Sequence, residues 1–212
     1  MRLRQRLGIS EKNQQRLTQV MQLVLTAMAV ISIYTLNFKM LFNSLLPLFI
    51  TFLPALLERD LDSSMDTGLV LWITSAAFLH GLGSLGVYGY ISWFDQLTHF
   101  LAATVVAGTG YAAVRAIDEH ADGIELPART TFIFVLIFTI AFGVIWEVLE
   151  FLLGRLARFY GGESVLLQHG VNDAMQDLLF NLGGGLVVAT WGHLYLTDAV
   201  QFMADLLGIR SS

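Results

Sequence analysis

The chain contains no cysteine. That removes thiol nucleophiles, zinc–thiolate sites and disulfides at once. It is also poor in charge: 14% of its 212 residues are charged, against about 25% in ordinary soluble domains. Proline is scarce too, with three residues, Pro47, Pro54 and Pro127, so long helices meet few breaks. No phosphate-binding glycine loop, HExxH or GxSxG string is present, and nothing points to nucleic-acid recognition.

Apolar residues fill the space that charge leaves. They make up 55% of the chain and mean hydropathy is +0.64. They come in long runs rather than in an amphipathic pattern, which favours membrane spans over a soluble core. Six spans are expected: Leu17 to Leu36, Leu41 to Leu57, Gly68 to Val87, Phe94 to Ala113, Thr131 to Leu153 and Asp173 to Tyr195. The fold class is therefore all-α, a polytopic bundle of about six transmembrane helices. Residues 1–16 form a basic N-terminal segment, 17–196 the membrane domain, and 197–212 a short amphipathic tail suited to an interface. The first run is too long for a signal-peptide core and lacks a small-residue cleavage site, so an uncleaved anchor is expected.

Basic residues set the expected orientation. Arg2, Arg4, Arg6, Lys12, Arg16, Arg59, Arg115, Arg129 and Arg210 fall on the side of both termini, and Lys39, Arg155 and Arg158 on the other. Nine against three places both termini in the cytoplasm of a cell membrane. Small residues of spans three, four and six, among them Gly183, Gly184 and Gly185, mark the tight centre. Spans one and two, rich in Leu, Phe and Ile, are expected to face lipid.

Polar residues inside the spans are few and patterned. Asp95 and His99 share one face of span four, and Glu147 and Glu150 one face of span five. Asp173, Asp177 and Asn181 step by four along span six. Alternating span direction brings all three sets to one depth, toward the outer face, and His80 of span three can join them. Hydrocarbon tolerates such groups poorly, which asks for a common purpose. Carboxylates gathered at one depth repel one another unless protons or cations neutralise them.

Carboxylates with imidazole and no thiolate suit a divalent metal: magnesium, manganese, iron or zinc. The expected ligands are Asp95, His99 and Asp177. Glu147, Glu150 and Asp173 are then the catalytic carboxylates, supported by His80, Asn181, Arg155 and Arg158. The expected function is a metal-dependent hydrolase or transferase acting on a lipid or lipid-linked substrate near the outer leaflet. Membrane lipids are the expected partners, and no nucleic acid is. Two other functions use the same residues: a cation- or proton-coupled transporter, and a non-catalytic network that locks helices together.

Plainer roles compete residue by residue. Asp95 and Asp173 stand where helices begin and suit N-caps. Glu147 and Glu150 lie near a helix end, within reach of headgroup water. His99 can form a structural pair with Asp95, and His80 can simply bridge helices. His120, His169 and His193 fit solvated or interfacial positions. Trp93, Trp146 and Tyr88 fit an aromatic belt.

Three strings carry a resemblance: Phe94 to Phe100, Trp146 to Phe151, and Asp173 to Gly183. Together they resemble the YjdF family of small membrane proteins and, more weakly, VanZ-like families. The resemblance spans about Gly68 to Tyr195. It implies a several-helix integral membrane protein and marks Asp95, His99, Glu147, Glu150, Asp173, Asp177 and Asn181. The VanZ likeness hints at lipophilic or envelope-associated ligands.

Overall fold

The computed structural model describes residues 9–59, 61, 64–121, 123–161, 164–166 and 170–209. Arg2, Arg4, Arg6, His169 and Arg210 lie outside them. Long apolar runs become long helices: α1 (Glu11–Tyr34), α2 (Phe38–Glu58), α3 (Thr67–Leu82), α4 (Phe94–His120), α5 (Ala128–Phe159) and α6 (Val171–Tyr195). A shorter helix, α7 (Thr197–Leu207), follows. Beyond Leu82 the chain passes through a π-helical turn, Gly83–Val87, and a last turn, Tyr88–Tyr90. Gly86 takes φ 117° there, a left-handed value that a β-carbon disfavours.

α1, α2, α3 with its extension, α4 and α5 are each long and apolar enough to cross a membrane. About twenty helical residues cover a hydrocarbon core of roughly 30 Å. At 25 residues α6 has the length, but Asp173, Asp177 and Asn181 lower its apolarity. It lies between α4 and α5, which cover Asp177 and Asn181.

α1, α2 and α3 pack on one another, and α4, α5 and α6 form a second group. α3 joins the groups by packing on α4. The most extensive packing is α4 against α6. A β-carbon on Gly184 would stand 2.6 Å from the Phe100 carbonyl oxygen and 3.1 Å from the Thr104 nitrogen, and one on Gly192 would stand 3.3 Å from the Tyr111 ring. These two contacts fix α4 and α6 side by side and in the same direction. The expected centre of spans three, four and six is thus corrected in part: α3 packs on α1, α2 and α4, while α5 flanks α6.

α7, the amphipathic tail, turns one face inward. Val200 and Ala204 join Leu196, Ala107, Tyr111, Ala112 and Ala116 in one buried cluster against α4. Trp72 of α3 donates its indole N–H to Thr104 of α4 at 3.1 Å, which ties the two groups together below the polar site.

α2 begins at Asn37, whose side chain accepts the Met40 N–H at 2.9 Å, the usual cap for exposed helix donors. One turn on, buried Asn43 donates to the carbonyls of Lys39 at 2.9 Å and Val165 at 2.6 Å. The second bond crosses from α2 to the segment between α5 and α6. Asn43→Ala leaves the Val165 carbonyl without this donor and is expected to cost about 1–2 kcal/mol. Hydrogen exchange checks it: protection should fall at residues 164–166, and equal protection in both proteins would refute the tie.

Candidate metal centre

The polar sets of α4, α5 and α6 meet at one end of the bundle. His99 rises from the first turns of α4, and its Nε2 lies 3.8 Å from Asp95 Oδ1 and 3.8 Å from Asp177 Oδ2. One ligand atom from each of these residues falls within 4.8 Å of the other two. A separation of 3.8 Å is too long for a hydrogen bond. It is less than twice a metal–ligand bond of about 2.1 Å, so one ion can reach both atoms.

Asp177 is 1% exposed and His99 7%. Among the described residues no hydrogen-bond donor reaches Asp177 Oδ1. A buried carboxylate oxygen left so is costly unless a cation or proton meets it. The donor set therefore fits a divalent ion: two carboxylates, one imidazole, and an orphaned buried oxygen.

The remaining acids surround this group. Glu147 and Glu150 are buried on the inward face of α5. Glu150 Oε1 accepts the Trp146 indole N–H at 3.0 Å. Asp95 and Asp173 both act electrostatically on Glu147 and on Asp177. Asn181 is buried one turn below Asp177, and a β-carbon on Gly143 of α5 would stand 2.6 Å from its Nδ2. Only a glycine at 143 lets Asn181 lie there.

Asp95 and Asp173 do not cap their helices. The caps of α4 and α6 are Trp93 and Gly170, and neither makes a side-chain capping bond. Both acids sit inside the first turn, where the helix dipole still favours a negative charge.

His80 is held by aromatic and hydroxyl groups. Its Nδ1 is 3.1 Å from the Tyr88 hydroxyl, which is 3.2 Å from Thr98 Oγ1. Thr98 donates in turn to the Asp95 carbonyl at 2.8 Å. The His80 ring also meets Trp146 edge to face, with centroids 5.4 Å apart. Tyr88 and Trp146 thus turn inward as partners of the site, while Trp93 is exposed. The sequence carries only their spacing: Trp146 stands four before Glu150 and Tyr88 follows a glycine-rich turn, which does not separate a site partner from a belt residue. Thr98 offered no such signal.

Arg155 and Arg158 are corrected in position. They lie on the last turns of α5, not in a loop, because α5 runs on through Gly154 to Phe159. Both are exposed, outside the buried set. His193 is exposed, and His120 lies at the far end of α4 with Nδ1 3.2 Å from the Ala116 carbonyl.

No curated protein and no solved structure matches the chain. A family model does match, over residues 17–198. That range takes in all six long helices apart from the first turns of α1, together with the whole polar set. The chain belongs to the family described as predicted membrane protein DUF2238.

Proposed function

We propose that this multi-pass membrane protein is a divalent-metal-dependent hydrolase or transferase acting on a lipid or lipid-linked substrate. The observation that carries the reading is the Asp95–His99–Asp177 group, with Asp177 Oδ1 buried and lacking a donor among the described residues. These three residues would hold the ion, and magnesium, manganese, iron and zinc all suit two carboxylates and one imidazole. When bound, it supplies Lewis acidity and an activated water.

Glu147 is the best placed base. It is buried on α5, and Asp95 of α4 and Asp173 of α6 both act on it electrostatically. Glu147 takes the proton from attacking water and returns it to the leaving group. Asp173, half-buried at the start of α6, shares the field around Glu147 and His99. Asn181 and His80 orient the substrate, and exposed Arg155 and Arg158 meet the headgroups of the surrounding lipid.

The strings that resemble the YjdF family hold Asp95, His99, Glu147, Glu150, Asp173, Asp177 and Asn181, and our reading takes the membrane to be the cell membrane. The excess of basic residues near the termini supports a cytoplasmic position for both, with the site toward the opposite face. The interior below His99 supports chemistry over transport. Ala102, Ala103, Val105 and Val106 line the space there, where a path for ions would need polar groups.

Elemental analysis of protein purified without chelator tests the reading. Stoichiometric divalent metal is expected in the wild type. It should be lost in Asp177→Asn and His99→Ala, with helix content and elution volume unchanged. Absence of metal from the wild type, or equal metal in folded variants, would overturn it.

A further inference from the structure

Between the α1–α3 group and the α4–α6 group lies a cavity of about 260 Å³. Its walls are apolar, formed by Pro47 of α2, Ile73 and Ala77 of α3, Val106 of α4 and Phe142 of α5. One end is different: His80, Thr98, His99, Trp146 and Asn181 close it. The edge-to-face pair of His80 and Trp146 roofs that end, α3 to α5. Phe142 is half-exposed and Ala102, also on the wall, is exposed. The cavity therefore opens sideways, toward the surface that meets lipid.

An apolar cavity of about 150 Å³ in a protein core already takes up benzene rather than water. A larger one that opens to hydrocarbon will take up a hydrocarbon chain. The polar end selects the head. Histidine, threonine and asparagine donate and accept hydrogen bonds, and among the described residues the lining has no lysine or arginine to pair with an anionic head.

We propose that this cavity binds one linear chain of a neutral-headed amphiphile, a long-chain alcohol or amide. Its head lies against His80, Thr98 and Asn181, beside His99. The proposal names the ligand class of the site described above. It rests on the metal-dependent reading only for the fate of the head, because holding the chain needs no metal.

The test uses the full chain in phosphatidylcholine nanodiscs with a diazirine-bearing hexadecanol as photoreactive probe. Peptide mapping should find labels concentrated on Ile73, Val106 and Phe142, and excess unlabelled hexadecanol should remove them. Ala77→Phe narrows the cavity and should cut those labels about tenfold, equivalent to about 1.4 kcal/mol of binding. Labels on exposed Leu23 and Leu179 should not change. Labelling of the lining no denser than that of Leu23 and Leu179, or no competition in the wild type, would overturn the proposal, whether or not Ala77→Phe folds. Repeating the experiment with chelator separates the two readings. Metal loss should leave the labels in place, whereas a metal-bearing protein with an unlabelled lining defeats the cavity proposal alone.

Discussion

Gly184→Leu is expected to abolish assembly of the bundle, whereas Gly183→Ala should fold like the wild type. The two glycines are neighbours in one apolar helix and differ only in what faces them. A β-carbon at 184 would meet the Phe100 carbonyl oxygen at 2.6 Å, Ala103 Cβ at 2.9 Å and the Thr104 nitrogen at 3.1 Å. Two of these are backbone atoms of α4, so no rotamer change relieves the clash and the helices must separate. Alanine alone should cost about 3 kcal/mol, the upper range for overpacking a tight contact. Leucine pushes α4 and α6 farther apart and breaks the register that brings His99 to Asp177.

At Gly183 the nearest atoms belong to the Phe100 ring, at 3.6 and 3.7 Å, an ordinary contact. Alanine there also gains up to about 1 kcal/mol of helix propensity. Folded yield in membranes and thermal melting in detergent check the pair. Equal behaviour of Gly183→Ala and Gly184→Ala would show that α4 and α6 do not approach so closely.

Chelation is expected to lower the melting temperature of the wild type and to leave Asp177→Asn unmoved. An ion that binds only the folded chain stabilises it by about 2.7 kcal/mol at a free concentration one hundred times its dissociation constant. For a chain of this size that corresponds to roughly 5–10 °C. Asp177→Asn keeps the shape of the side chain and removes its charge, so metal affinity falls while packing in the nearly closed site is preserved. The outcome separates a metal centre from a network that only locks helices together. A purely structural network gives no chelator shift in either protein. A shift of equal size in both would move the ion away from Asp177.

Much of the site was readable from spacing. Asp95 with His99 and Asp177 with Asn181 stand one helical turn apart in apolar runs, so each pair must share a face, and alternating span direction brings the faces to one depth. The partners of the site were less readable. Trp146 and Tyr88 have the amphipathic character of belt residues, and nothing local tells an indole that faces headgroups from one that donates to Glu150. Thr98 is an ordinary helix threonine until Tyr88 is folded against it by the turn at Gly86. Arg155 and Arg158 fall beyond the apolar span that ends at Leu153, yet α5 carries on through Gly154 to Phe159.

By itself the sequence determined the all-helical membrane class, the six long segments and the sharing of faces within each. Those follow from hydropathy and from a helical period that no neighbour can alter. Tertiary structure alone decided which glycine of the Gly183–Gly185 run admits a backbone, that α5 rather than α3 flanks α6, and that three ligand atoms from α4 and α6 gather around one point. These depend on the rotation of each helix about its own axis and on the pairing of helices. Contacts between residues distant in the chain set both, and residue spacing does not encode them.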